Sequence, residues 1–206
     1  MQKKRPGALT AIVVVGLILG SLGTCGGLTS IVSLVFQDQM QAFSRQMAEM
    51  SAQGNPTVYE QQLAMQEQMN AVSAEWRPAL FSHQIVNLLA SFVLLAGAIL
   101  LLKWKPSGPE IFTAGAVVSI LADGGGGVIT VLYQLEISTV LQEYMTRLAS
   151  DPALAGAERS MSAIGTASTR AGMFFGVAWV AIKLGFYGYG IVTLRKPEVR
   201  KLFGPE

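Results

Sequence analysis

Apolar residues fill four stretches of the chain, at 8–36, 85–102, 111–135 and 171–194. A helix needs about 20 predominantly apolar residues to cross roughly 30 Å of hydrocarbon, so each stretch predicts a transmembrane helix. The first two hold no charge, the third holds Asp123 and the fourth holds Lys183. One ionisable residue costs about 3 kcal/mol on insertion scales, which the apolar neighbours offset. The basic start and the stretch Leu22-Gly23-Thr24-Cys25 resemble a signal segment with a degenerate lipoprotein box. The apolar run continues to Phe36, beyond the length of such a segment, so the first span is expected to be retained. Cys25 then reads as a small packing residue.

Between the spans the pattern becomes amphipathic. Met40, Phe43, Met47 and Met50 keep the three-four spacing of a helix face, and Gln53-Gly54-Asn55-Pro56 marks a turn. Val58, Met65 and Val72 then fall seven apart, as do Gln62, Met69 and Trp76, which predicts a short coiled-coil seam. In 136–170, Ile137, Leu141, Tyr144 and Leu148 form a stripe, and Ser150-Asp151-Pro152 makes the turn. No strong breaker separates the first span from Met50, or the third from Ala149. Each membrane helix is therefore expected to continue outward, reaching about 20 Å beyond the bilayer at 1.5 Å per residue. Arg77-Pro78 is the one expected kink. The fold class is thus an all-α membrane protein of two long antiparallel helical hairpins, residues 1–106 and 107–206, with outward segments 37–82 and 136–170 and a short cytoplasmic tail.

The halves also show signs of an internal duplication. Gly26-Gly27 matches Gly126-Gly127, Lys105-Pro106 matches Lys196-Pro197, and Gly97 falls opposite Gly188. Both halves would share one topology, with a pseudo-two-fold axis along the membrane normal.

Charge orients the spans. One side holds Lys3, Lys4, Arg5, Lys103, Lys105, Arg195, Lys196, Arg200 and Lys201 against Glu110, Glu198 and Glu206. The other side holds five arginines against nine acids. Basic residues stay cytoplasmic, so both termini and the central loop are expected to face inward. Trp76 and Trp104 sit at span ends, where amphipathic rings prefer the interface. With one cysteine and one histidine, the chain cannot build a disulfide or a Cys/His zinc site by itself.

The candidate chemistry is sparse. Asp123 and Lys183 each lie near the middle of a span, at matching depth, and an intramembrane ionisable residue is a functional candidate by default. They read either as a proton or ion relay or, the preferred reading, as a structural ion pair. Gly124, Gly125, Gly126 and Gly127 follow Asp123 and read as a hinge, an ion-binding stretch or a groove for a neighbouring helix. Gly16-x-x-x-Gly20, Gly23-x-x-x-Gly27 and Gly172-x-x-x-Gly176 favour the packing reading. Met40, Met47, Met50, Met65 and Met69 are adaptable partner-contact candidates rather than copper ligands. His83 reads as an interfacial hydrogen-bonding residue.

Gly-x-Ser-x-Gly, His-Glu-x-x-His and Cys-x-x-Cys are all missing, so no catalytic residue, metal or cofactor is assigned. The basic ends are too short for nucleic acid and suit anionic headgroups instead. The layout of four spans with two outward segments is similar to that of tetraspanins and claudins, but the tetraspanin Cys-Cys-Gly and the claudin tryptophan–cysteine pattern do not occur. The lack of disulfides and of eukaryotic sorting signals points to a bacterial plasma membrane. The functional expectation is a non-enzymatic scaffold or accessory subunit that contacts the bilayer and other subunits or itself. The alternative is a small transporter or oligomeric channel using the Asp123/Lys183 pair.

Overall fold

The computed structural model of the chain describes residues 7–37, 39, 42, 43, 46, 56–149 and 155–204. Among these residues the structure is all-helical. Helix α1 spans Gly7–Val35, α2 Pro56–Leu102, α3 Gly108–Ala149, α4 Ala155–Arg195 and α5 Pro197–Phe203. Four of them are long and apolar enough to cross a membrane, which supports a multi-pass membrane protein. Their apolar surface fits lipid as solvent: Leu121 and Phe174 are 70% and 71% exposed, a costly arrangement in water. The helix α2 runs through Pro78, whose ring nitrogen cannot donate to the carbonyl of Ala74. Met40, Met47, Met50 and the turns at 53–55 and 150–152 lie outside the described residues.

The described chain forms two compact units, each drawing on both halves of the sequence. The first combines 1–31, 82–126 and 178–206. Without a hydrophobic force between helices in lipid, close backbone approach has to supply the packing, and glycines permit it. Added Cβ atoms at Gly16, Gly20, Gly23 and Gly27 of α1 would meet Ala98, Leu95, Ser91 and Leu88 of α2 in turn. The numbers rise on one helix as they fall on the other, so the two run antiparallel. A second seam joins α2 to α3: Gly108 lies on Leu101, Gly97 on Phe112, Gly115 on Leu94 and Gly126 on His83. Every step up α3 is matched by an equal step down α2, so this register holds without slippage along the seam.

Phe112 is the hub. It is fully buried, and its ring would lie 2.7 Å from a Cβ on Gly16 of α1 and 3.1 Å from one on Gly190 of α4, while its backbone abuts Gly97 of α2. Three glycines from three helices thus form its socket. The Phe186 ring meets it edge-on, with centroids 6.5 Å apart.

The turn between α2 and α3 closes with paired backbone bonds, Lys105 N–H to the Leu100 carbonyl at 3.0 Å and Trp104 N–H to the Leu101 carbonyl at 3.3 Å. This is the Schellman pattern, with Trp104 at φ 57° where glycine is usual. Its indole packs on Phe203 of α5, with centroids 5.7 Å apart. The tail after the fourth span is therefore structured. Pro197 starts a short helix, and Val199 and Phe203, four residues apart, turn one face into the core.

The second unit combines 32–81 and 127–177. In it the Trp76 indole donates to Glu136 at 2.6 Å, and the Ser73 and Tyr133 hydroxyls lie 3.2 Å apart. The Arg77 guanidinium donates to the Leu34 carbonyl at 3.0 Å. That carbonyl belongs to the last turn of α1, where orphan acceptors favour a cation.

Candidate functional site

The polar centre of the first unit is built from three helices. Asp123 on α3 and Lys183 on α4 meet with the ammonium 2.6 Å from Oδ1. Their side chains are 10% and 15% exposed, so the pair is largely removed from its surroundings. In hydrocarbon each charge alone is expensive, and mutual contact offsets much of that cost. Oδ2 of Asp123 is buried with no hydrogen-bond partner among the described residues. The carboxylate is thus satisfied on one oxygen and bare on the other.

Two further groups complete the cluster. One turn along α4 from Lys183 is Tyr187, which is buried; its ring centroid lies 5.9 Å from the ammonium. Ser119 of α3, also buried, is a polar neighbour of Tyr187 on the α3 side. On the α2 side His83 is half-buried, and its imidazole occupies the space a Cβ at Gly126 would take. Gly126 lies three residues after Asp123, on the adjacent turn of the same helix face. The glycine therefore gives the imidazole room beside the ion pair. A cluster of carboxylate, ammonium, imidazole and phenol can hold or exchange a proton, and it can also lock three helices together.

The four consecutive glycines divide by helical phase. Gly126 is buried on His83, whereas Gly124, Gly125 and Gly127 have none of the described residues within 4 Å of an added Cβ. All four remain within the continuous helix α3, so the backbone there is not unwound. Gly16, Gly20, Gly23 and Gly27 share one packed face of α1, and Gly176 of the third small-residue pair is open. Cys25 is exposed on α1 and is not a packing residue. Met65 and Met69 are half-buried in the second unit, Met65 forming part of a cavity of about 180 Å³ with Tyr144 and Arg147. Among the described residues no three His, Cys, Asp or Glu side chains gather as a metal site would require.

Sequence reading did not find the His83–Gly126 contact. The signal is present in the spacing of glycines on α3: Gly108, Gly115 and Gly126 are seven and eleven residues apart, which keeps them on one stripe. No protein-family model, curated protein or solved structure matches the chain.

Proposed function

We propose that the chain is a non-enzymatic scaffold or accessory subunit of a membrane complex, with a helical contact surface outside the bilayer. The observation that best supports this reading is the closure of the ion pair. Asp123 and Lys183 spend their charge on each other at 2.6 Å, inside a packed unit. Paired in this way, they stabilise the contact between α3 and α4. Glycines that meet nothing among the described residues, Gly124, Gly125, Gly185 and Gly188 included, leave room for a helix of another subunit or a second copy.

The finer topology belongs to the same proposal. The 47 residues of α2 span about 70 Å at 1.5 Å per residue, far more than roughly 30 Å of hydrocarbon. Segments 37–82 and 136–170 would then form the outward ends of two antiparallel hairpins, in a bacterial plasma membrane. The charge bias puts both termini in the cytoplasm. An ancestral duplication of the halves would have diverged in packing, since Gly27 and Gly97 are packed while their counterparts Gly127 and Gly188 are open.

The test is photo-crosslinking in the native membrane from probes at Met65 and Met69. The scaffold reading expects adducts of defined mass with one membrane partner or with a second copy. Probes that yield lipid or no adduct throughout the outward segment would sink it.

A small transporter or oligomeric channel is the second reading. Asp123 Oδ2, buried and without a partner among the described residues, favours it, because a bare carboxylate oxygen near His83 is a natural proton acceptor. Ion or substrate flux through reconstituted protein, lost on Asp123→Asn, would replace the scaffold reading with this one.

A further inference from the structure

A groove of about 480 Å³ opens in the first unit where α3 begins and α4 ends. Three charged residues stand at its mouth: Glu110 in the first turn of α3, Arg195 at the end of α4 and Arg200 on α5. From the mouth the groove follows one face of α3, past Ala114 to Val117 and Val118, with Leu194 on the opposite wall. That path covers about two helical turns, roughly 12 Å at 1.5 Å per residue. Its chemistry is graded, with guanidinium groups at one end and aliphatic side chains at the other. Val117 and Val118 are 42% and 41% exposed, so the apolar end is open along the helix surface. Among the described residues neither Arg195 nor Arg200 forms an ion pair.

We propose that this groove seats an anionic glycerophospholipid, its phosphodiester between Arg195 and Arg200 and one acyl chain along Val117, Val118 and Leu194. Three features select this ligand. Arg195 ends an apolar span of 22 residues, which sets it at headgroup depth. Basic pockets between transmembrane helices at that depth recognise anionic headgroups. Two arginines and one glutamate leave the mouth with a single net positive charge, which suits a singly charged diester better than a doubly charged monoester. The guanidinium fork matches the phosphate oxygens, and the aliphatic floor would be left unfilled by a soluble anion. The proposal rests on the membrane reading alone and holds for a subunit or a transporter alike.

The experiment is native mass spectrometry of the delipidated full chain, titrated with phosphatidylglycerol, phosphatidylcholine or inorganic phosphate. One tightly held phosphatidylglycerol is expected, preferred over phosphatidylcholine by about tenfold or more. Arg195→Gln with Arg200→Gln should abolish the preference, while Lys103→Gln with Lys105→Gln should preserve it. Ala114→Phe keeps both arginines and fills the groove, so it should lower phosphatidylglycerol binding even where the arginine variant assembles poorly. Equal binding of the two lipids, full retention in Ala114→Phe, or displacement of the lipid by inorganic phosphate would overturn the assignment.

Discussion

Replacing Asp123 by leucine leaves Lys183 buried beside an apolar side chain. At 2.6 Å and an effective dielectric of about 20, the lost attraction is about 6 kcal/mol. Much of this was already offset by the cost of burying two ions, so the net effect of removing one partner is smaller, about 3 kcal/mol. Lys183→Met should cost a similar amount, because it strands the carboxylate, whose Oδ2 is already bare. Removing both ions removes both burial costs, and Asp123→Leu with Lys183→Met should return to within about 1 kcal/mol of the parent. The assay is a double-mutant cycle read by reversible unfolding in mixed micelles, with circular dichroism confirming helical content. Single variants that each lose less than about 0.5 kcal/mol, or a double variant equal to the sum of the singles, would refute the ion-pair account.

Four further substitutions probe the packing. Phe112→Ala opens a cavity in the three-glycine socket; because the unfolded helix stays in lipid the transfer cost is small, and the cavity alone should cost about 2–3 kcal/mol, measured by the same unfolding assay. Gly97→Ala places a Cβ 2.5 Å from the Phe112 backbone and should cost about 1–3 kcal/mol, whereas Gly124→Ala meets nothing and should be neutral or stabilising by up to about 1 kcal/mol in the isolated chain. Gly126→Ala drives a Cβ into the His83 ring, and the destabilisation, seen as a lowered melting temperature in detergent, should be relieved when His83→Ala is added.

Element existence was legible because span length and hydropathy depend on local composition alone. Asp123 and Lys183 could be assigned to one depth by counting residues from span ends, and in the structure they touch. Which glycine of the run 124–127 packs could not be read from the run itself, since adjacent residues on a helix point about 100° apart and the partner sets the phase. The Arg77 bond to the Leu34 carbonyl was also hidden: the sequence shows a basic residue before a proline, and the acceptor lies 43 residues away. The tail after Leu194 reads as short and charged, yet its Val199 and Phe203 are buried. Seven residues are too few for periodicity to stand out from the surrounding charges.

Whether this chain serves as a subunit is decided by the mass of the particle released gently from its native membrane. A subunit should emerge in a defined assembly well above the 21.9 kDa of one chain, with other membrane proteins or further copies in fixed ratio. A lone monomer that carries flux dependent on Asp123 would contradict it.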